Sequence, residues 1–281
     1  MEILSFSKAM YSTWIYYAPD RVLFDCGEGI STMLTNKIFA VRRIFLTHSH
    51  ADHISGLWGF LNTRSSAMGE REKPLEIYYH KSSGMIRDYL NFIQKTGSKM
   101  KYDLSIHEIE EGEEIKLDAG RGRRYITSFA TDHMKNETAL GYQIRERRNR
   151  LKSEFRGLEQ RAIKEILSDR GKEEITEEYT HSLMTLSGDG NVIDDRHMKN
   201  TDKLMHECTF LDNEDRRGDK HTELEELLER VVVNKPRKLI LYHISSRYTQ
   251  MLRKKMRRTE ERMKNEGIAF SYVYPGKLCR F

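Results

Sequence analysis

Residues 45–60 read FLTHSHADHISGLWGF, and this stretch decides the fold. Three of the eleven histidines and one aspartate fall within six positions, directly after an apolar run: His48, His50, Asp52 and His53. The apolar run predicts the end of a buried strand, and alternate residues of an extended chain project to one side. Because neutral imidazole and carboxylate groups are ligands of zinc and similar divalent ions, the stretch predicts a metal site at a strand end. The alternative is a set of capping and surface histidines.

The composition is that of a globular chain with a well-solvated surface. Its 281 residues, 38% of them hydrophobic and 32% charged, are enough for one large domain or two modest ones. No apolar run approaches the roughly 20 residues needed to cross a bilayer, and the first residues resemble a strand rather than a signal peptide. The three cysteines, Cys26, Cys208 and Cys279, are odd in number and widely spaced. We therefore expect a reduced, cytoplasmic protein without a disulfide framework or a membrane partner.

Basic residues are concentrated in two segments, although the net charge is only +5. Residues 145–156, RERRNRLKSEFR, hold six basic residues, and residues 253–258, RKKMRR, hold five. A single run of this kind more often marks a solvated helix face. Two such runs in a nearly balanced chain indicate a phosphate-rich ligand as a serious alternative.

Short β-rich runs alternate with segments of helical periodicity along the chain. Residues 84–95 and 222–233 repeat apolar side chains about once per helical turn, and Thr222 is the expected N-cap of the second helix. The alternation predicts a single α/β domain over residues 1–281. Residues 145–181 differ, because they are dense in charge and poor in β-branched residues. We expect them to form a charged helical excursion from the main fold, although an ordinary surface helix pair would share this pattern.

The segment THSHADH at 47–53 resembles the HxHxDH signature of the metallo-β-lactamase superfamily. The resemblance implies an αββα sandwich with a dinuclear metal site at one edge of its two packed sheets. It also implies three further ligands in a set order, each after a strand: His133, Asp189 and His243. One ion would be held by His48, His50 and His133. The other would be held by Asp52, His53 and His243, with Asp189 bridging the two ions.

Further motifs resemble those of the ribonuclease Z family, the endonucleases that mature the 3′ ends of transfer RNA. HECTF at 206–210 resembles the family's HEAT motif, with Cys208 in place of alanine, and His221 matches an additional family histidine. HISSRY at 243–248 resembles the motif around the family's last metal-binding histidine. With LFDCGEG at 23–29, the resemblance covers nearly the whole chain.

This resemblance implies a zinc-dependent endoribonuclease that removes the 3′ trailer from precursor tRNA. Two zinc ions, or manganese or iron in their place, would activate a hydroxide that attacks the phosphodiester and leaves a 3′-hydroxyl on the tRNA. Asp52 would accept the water's proton, His221 would protonate the departing ribose oxygen, and Glu207 would orient His221. Arg247 and Ser245 would bind the substrate phosphate. The family also implies a homodimer.

The charged segment at 145–181 lies between His133 and Asp189, where the ribonuclease Z family carries an arm that clamps the tRNA body. The resemblance therefore implies substrate contacts from its basic residues: Arg147, Arg148, Arg150 and Lys152. The chain departs from the family in lacking its Gly-rich GTG/S segment, its PxKRN loop and the prolines of its arm. That loop is associated with the treatment of a terminal CCA, so the position of the cut relative to CCA stays open.

The metal signature leaves other functions open, because one fold hosts many reactions. A thioester or lactam hydrolase would use the same seven ligands but would need no basic arm, no His221–Glu207 pair and no Arg247. A phosphodiesterase of small nucleotides would share the site without needing residues 145–156. A metal-binding RNA adaptor without catalysis would require a broken ligand set, and the sequence shows none broken.

Overall fold

Two seven-stranded sheets, packed face to face, form the centre of the molecule. The computed structural model describes residues 2–67, 73–96, 100–117, 122–216 and 220–281. The strands of the first sheet are β1 (Ile3–Lys8), β2 (Ser12–Tyr17), β3 (Val22–Phe24), β4 (Arg43–Phe45), β5 (Leu75–His80), β6 (Leu104–Ile109) and β14 (Cys279–Arg280). Those of the second sheet are β7 (Glu114–Lys116), β8 (Arg124–Thr131), β9 (Ala139–Leu151), β10 (Thr176–Leu186), β11 (Leu204–Glu207), β12 (Lys238–Tyr242) and β13 (Ala269–Tyr272). The spatial orders are β14-β1-β2-β3-β4-β5-β6 and β13-β12-β11-β10-β9-β8-β7.

Helices cover the outer face of each sheet: α1 (Ile30–Leu34), α2 (Ala51–Ile54), α3 (Leu57–Ala67), α4 (Gly84–Thr96), α7 (Asp195–Met198), α8 (Leu224–Asn234) and α9 (Leu252–Asn265). Helices α5 (Gln160–Arg170) and α6 (Lys172–Ile175) lie instead within residues 145–181. The apolar sides of α1 to α4 pack on the first sheet. Those of α7 to α9 pack on the second. The α/β class and the αββα sandwich expected from the sequence are therefore confirmed.

Aromatic side chains fill the layer between the two sheets. Phe45 of the first sheet packs against Phe24 at a ring-centroid distance of 5.9 Å and against Tyr142 of the second sheet at 5.4 Å. All three side chains are fully buried. Burial of a Phe side chain contributes about 1.5–3 kcal/mol, so this layer holds the two sheets, and hence their strand ends, in a fixed relation.

Strand direction brings several carboxyl ends to one edge of the sandwich. β10, β11 and β12 are parallel, and β8 runs the same way because β9 lies antiparallel to both β8 and β10. In the first sheet, β3 and β4 are also parallel. His48 follows β4 and Asp189 follows β10, and their side chains approach to 4.0 Å. The ends of the two sheets therefore meet at this edge.

Residues 145–181 form strand at their base and helix at their tip, so the expectation of a helical excursion is wrong for the base. There β9 and β10 pair antiparallel, with residues 145–151 opposite 176–182, while α5, α6 and a 3-10 helix (Ser153–Phe155) form the tip. Opposite charges face each other across the strands, as in the Arg150–Glu177 ion pair at 2.8 Å. Such cross-strand pairs stabilise a ladder that has no apolar face.

Two helices predicted from periodicity are present, but one N-cap differs. The segment predicted at 84–95 is α4, and the segment predicted at 222–233 contains α8. The N-cap of α8 is Glu223, whose Oε2 accepts from the Glu226 amide at 3.1 Å. Thr222, the predicted cap, instead donates its hydroxyl to the Gly190 carbonyl at 2.9 Å. Its side chain is therefore engaged by the loop that carries Asp189.

None of the helices within the described ranges is both long and apolar enough to cross a membrane. All three cysteines are free thiols, and Cys26 and Cys208 are buried. Burial raises the pKa of both buried thiols well above the usual range, so they stay protonated and behave as small apolar side chains.

Candidate metal centre

Seven histidine and aspartate side chains converge at the edge where these strands end. The first sheet supplies those that follow β4: His48, His50, Asp52 and His53. The second sheet supplies those that follow β8, β10 and β12: His133, Asp189 and His243. Helix α2 begins immediately after His50, and its first turn carries Asp52 and His53. The structure thus brings together every residue that the sequence indicated as a metal ligand.

The possible ligand atoms form two groups on either side of one aspartate. In the first group, His48, His50 and His133 offer nitrogen atoms that all lie within 4.8 Å of one another. The second group meets the same limit and consists of Asp52, His53 and His243. This grouping matches the one implied by the resemblance, while the assignment of ions to the groups stays a prediction.

Asp189 lies between the two groups. Its Oδ2 is 4.0 Å from His48 Nε2, 3.3 Å from His53 Nε2 and 3.1 Å from His243 Nε2. The preceding Gly188 has φ +68°, and a Cβ built there would lie 2.3 Å from the Leu140 carbonyl oxygen. Only glycine fits that turn without strain, so the turn fixes where the Asp189 carboxylate enters the site.

The chemistry of this cluster fits a bound metal. His48 Nε2 and Asp189 Oδ1 are buried, and neither has a hydrogen-bond partner among the described residues. Leaving a buried polar atom unpaired costs about 1–3 kcal/mol, so two at one point would be a large penalty for a purely structural cluster. Imidazole nitrogen and carboxylate oxygen are zinc ligands, and a metal would give these atoms the partner that the protein does not.

The carboxylates of the cluster are held in their charged forms. Burial raises the pKa of Asp189, but His243 and His53 outweigh burial and hold it well below its usual range. Burial likewise lowers the pKa of His53, and Asp189 together with Asp25 outweighs this and raises it well above the usual value. The site therefore attracts positive charge, either protons or a metal ion.

Asp25 lies behind the candidate ligands and was not singled out from the sequence. Its Oδ2 lies 2.7 Å from His53 Nδ1, and its Oδ1 accepts from the Thr47 amide at 2.8 Å. The Thr47 hydroxyl in turn lies 2.9 Å from His48 Nδ1. One carboxylate thus orients a histidine in each ligand group, the usual role of a residue behind a metal ligand. The sequence feature that could have indicated Asp25 is the segment LFDCGEG at 23–29, which lies at the end of a strand. Asp25 itself has φ +57°.

Glu207 is buried behind the metal cluster and accepts several hydrogen bonds. Its Oε1 accepts from the Thr222 amide at 3.0 Å and the Gly190 amide at 3.2 Å. Its Oε2 accepts from the Thr209 amide at 2.8 Å and hydroxyl at 3.0 Å. Glu207 is fully shielded from solvent. These donors fix the carboxylate in one position.

His221 projects from the loop before α8 into the same pocket. Its Nδ1 lies 2.9 Å from Glu207 Oε1, and its ring lies 4.8 Å from the His133 ring and 5.5 Å from the His243 ring between centroids. Burial lowers the pKa of His221, but the hydrogen bond to Glu207 outweighs burial and raises it. His221 is thus a protonatable group beside the cluster, oriented by a carboxylate.

Arg247 and Ser245 lie just after His243 at the surface. The Arg247 guanidinium is half exposed, sits 3.6 Å from Asp215 Oδ1 and lies 5.6 Å from the centroid of the Phe210 ring. The Ser245 hydroxyl accepts from Arg247 Nε at 3.3 Å. The two residues are joined to each other, and both lie within four positions of a candidate metal ligand.

The arm's basic residues lie on the paired strands, away from the cluster in sequence. Arg147 pairs with Glu114, Arg148 with Glu146 and Arg150 with Glu177, each by a nitrogen–oxygen contact of 2.5–2.8 Å. Lys152 is in the turn after β9 and is half-buried. The structure therefore places these residues together on the arm but does not bring them to the metal cluster.

The paired sheets and the histidine–aspartate cluster at their edge define a protein of the metallo-β-lactamase class. Residues 20–152 match the family model described as a beta-lactamase superfamily domain. In three dimensions the fold is similar to human tRNase Z, short form, with a TM-score of 0.67 at 17% identity over 99% of this chain and 98% of that chain.

Curated relatives give the family. The chain is 32% identical over 255 residues to ribonuclease Z of Thermococcus onnurineus, covering 83% of this chain and 78% of the relative. It is 30% identical over 256 residues to ribonuclease Z of Gemmatimonas aurantiaca, covering 82% and 78%. The chain belongs to the ribonuclease Z family of phosphodiester-hydrolysing endoribonucleases. The resemblance drawn from the motifs is thereby confirmed.

Proposed function

We propose that the chain is a zinc-dependent endoribonuclease that removes the 3′ trailer from precursor tRNA and leaves a 3′-hydroxyl on the tRNA. The observation that carries the proposal is the meeting of two sets of side chains at one edge: the seven candidate ligands, and His221 held by the buried Glu207. A thioester hydrolase would need only the first set. A reaction with a poor leaving group needs both, because the departing ribose oxygen must receive a proton.

Two zinc ions would be held by the groups described above. His48, His50 and His133 would bind one ion. Asp52, His53 and His243 would bind the other, and Asp189 would contact both. When bound, such ions lower the pKa of a water molecule and offset the negative charge of the phosphate. The unpartnered His48 Nε2 and Asp189 Oδ1 support this occupancy, and manganese or iron would suit the same ligands.

Asp52 is the proposed acceptor of the proton from the attacking water. Burial raises the pKa of Asp52, but the hydrogen bond with His243 outweighs burial and lowers it to about 2. The carboxylate is therefore ionised across the physiological pH range. The Met10 amide donates to Asp52 Oδ2 at 3.1 Å, so the β1–β2 turn helps to orient this carboxylate at the mouth of the site.

His221 is the proposed acid that protonates the departing ribose oxygen. Because Nδ1 faces Glu207, the Nε2 of the ring is left to donate a proton to the substrate. Glu207 cannot move to serve as the acid itself, since four further donors from Gly190, Thr209 and Thr222 hold it. A positioned general acid typically contributes about 10²–10⁴ to the rate.

Arg247 and Ser245 are the proposed phosphate contacts. The planar guanidinium of Arg247 can hold two phosphate oxygens at once, and its exposure leaves it accessible. Its ion pair with Asp215 is long, at 3.6 Å, and a surface pair of this kind contributes only about 0–1 kcal/mol. A substrate phosphate can therefore replace Asp215 at little cost.

Residues 145–181 are proposed as an inserted tRNA-binding arm within a single domain. The arm extends the second sheet as a two-stranded ribbon with a helical tip, a shape that reaches away from the metal edge. Its basic residues, Arg147, Arg148, Arg150 and Lys152, would contact backbone phosphate on the tRNA body without reading sequence. Because the three arginines are paired with glutamates, a tRNA phosphate that binds them must displace a glutamate carboxylate.

We also propose that the protein is a homodimer that joins through the outer face of α3 and α4. Trp58 on α3 and Phe92 on α4 are 37% and 53% exposed and lie 5.7 Å apart between ring centroids. Met85, 63% exposed, lies on α4 with Phe92 and lines a groove that also includes Tyr89. A second copy would cover this apolar patch, since rotational symmetry places the same surface on both partners.

One experiment tests the proposed reaction. Purified protein is incubated with a 3′-extended precursor tRNA, a cyclic nucleotide and a thioester, each with and without a chelator. We expect a single cut in the precursor, a 3′-hydroxyl on its tRNA product and loss of cleavage with the chelator. Faster turnover of the thioester or the cyclic nucleotide than of the precursor would replace this function with one of its alternatives.

A further inference from the structure

The first two turns of α9 carry four exposed cations on one face: Arg253, Lys254, Arg257 and Arg258. Within the described part of the chain, none of these four forms an ion pair. Two neighbouring cations of the same helix are paired, Lys255 with Asp212 and Arg262 with Glu225, and Arg258 lines a groove together with both of them. Among the described residues, the helix therefore carries four exposed cations without an ion pair next to two cations that are paired. We refer to the four unpaired residues as the α9 cations.

This arrangement is unfavourable for the helix itself. Residues four apart are neighbours on a helix, so Arg253 adjoins Arg257 and Lys254 adjoins Arg258, and like charges at this spacing repel. All four also lie in the half nearest the N-terminus of the helix, where its dipole favours anions. A bound anion would offset both effects, whereas a face that is only solvated would not.

Helix α9, which carries the α9 cations, begins nine residues after His243 at the metal edge. Lys255 Nζ, on the same two turns, donates to the Leu211 carbonyl at 2.9 Å. Leu211 is two residues from Thr209, whose hydroxyl lies 2.9 Å from His243 Nδ1. The exposed Arg247 precedes α9 by five residues. The chain from His243 to Leu252 spans at most about 30 Å when fully extended, so a ligand in the site has the helix within its reach.

The arginines of the arm differ from the α9 cations because they already form ion pairs. Arg147, Arg148 and Arg150 each have a glutamate partner, so a phosphate that binds them must displace a carboxylate. The α9 cations need no such exchange. Of the two basic segments in the sequence, the one on α9 therefore offers the more available positive charge.

We propose that the α9 cations bind the phosphate backbone of the RNA next to the cleaved bond. The proposal rests on the proposed function and adds a second substrate surface to it, distinct from the arm. Arg and Lys neutralise phosphates without reading bases. From 253 to 258 the helix rises about 7.5 Å, so this surface holds a short stretch of backbone close to the site, while the arm contacts the distant tRNA body.

The test is single-turnover cleavage of a 3′-extended precursor tRNA by the variant Arg253→Ala/Lys254→Ala/Arg257→Ala/Arg258→Ala. The protein concentration that gives half the maximal rate should rise at least about tenfold. The slope of log affinity against log salt should become shallower by about 2 to 3, since each phosphate contact on a single strand contributes about 0.7. The matched control removes four exposed lysines outside α9: Lys95, Lys101, Lys116 and Lys199. It should change neither quantity.

Stability separates binding from folding in this test. Alanine favours helix and the variant loses both like-charge pairs, so its thermal midpoint should not fall. If the midpoint falls, the smaller variant Lys254→Gln/Arg258→Gln carries the same test with about half the change in slope. Unchanged affinity and slope, or an equal change in the lysine control, overturn the proposal. If the wild type leaves the precursor uncut, the proposed function fails, and fluorescence anisotropy with the intact RNA still measures binding by the α9 cations.

Discussion

Asp25 Oδ2 lies 2.7 Å from His53 Nδ1, although 28 positions separate the two residues in the sequence. The parallel pairing of β3 with β4, in which Phe24 lies opposite Phe45, creates this contact. Asp25 also holds Thr47, and through it His48. A carboxylate outside the seven candidate ligands therefore sets the direction of two of them.

Replacement of Asp25 by alanine should weaken zinc binding. Loss of a residue that orients metal ligands typically costs about 10- to 100-fold in affinity, and competition with a chromogenic chelator measures it. The control is Asp20→Ala, which removes another largely buried aspartate with an arginine partner, Arg124. That control should lower the free energy of unfolding without changing zinc affinity. Equal zinc affinity in Asp25→Ala and wild type would contradict the role of Asp25.

Asp52→Ala should lose both metal and activity. Asp52 belongs to the second ligand group with His53 and His243, so zinc content should fall from two ions toward one per chain. Elemental analysis together with precursor cleavage checks this outcome. A variant that is fully loaded with zinc and remains active would remove Asp52 from both of its proposed roles.

His221→Ala should keep its zinc and cleave slowly. The ring is held by Glu207 at 2.9 Å and is the proposed acid for the leaving group, so single-turnover cleavage should fall about 10²- to 10⁴-fold. Zinc content measured on the same sample should stay at the wild-type value. If the rate of chemistry is unchanged, the leaving group receives its proton from elsewhere.

His197 should make the protein less stable in mild acid. Burial lowers the pKa of His197 from 6.5 to about 4, where its ring stacks on Phe129 at 3.9 Å between centroids. Between pH 6.5 and 4 the unfolded chain binds a proton that the folded protein does not, so stability falls as the pH falls through this window. Urea unfolding should show a shallower loss over this window in His197→Phe than in wild type. Parallel curves would show that His197 does not contribute.

Trp58→Glu should shift the protein from dimer to monomer. A charge beside Phe92 on the outer face of α3 and α4 opposes burial against a second copy. Light scattering after size exclusion gives the mass of each form. The matched control is a charge on a different helix, Val233→Glu, where the apolar side chain is 71% exposed. A wild-type protein that is monomeric, or a Trp58→Glu variant that remains dimeric, would place the interface elsewhere or exclude it.

The sequence predicted the candidate metal ligands best, because these side chains directly follow predicted strands. His48 to His53 lie in one short stretch, and the family resemblance implied His133, Asp189 and His243, each of which follows a strand. Asp25 and the base of the arm show the limit. The role of Asp25 depends on which strand adjoins β4. The arm's strands lack the alternation of apolar and polar residues that predicts a strand. Their strand structure depends on the pairing of residues 145–151 with residues 176–182.

The seven candidate ligands are divided between the two halves of the sandwich, four from the first sheet and three from the second. Metal ions bound by these ligands would therefore cross-link the two sheets, in addition to their proposed role in hydrolysis. Removal of the metal would therefore be expected to increase local opening first at this edge of the two sheets. Hydrogen exchange at the amides that follow β4, β8, β10 and β12 would register that opening before exchange in the aromatic layer between the sheets.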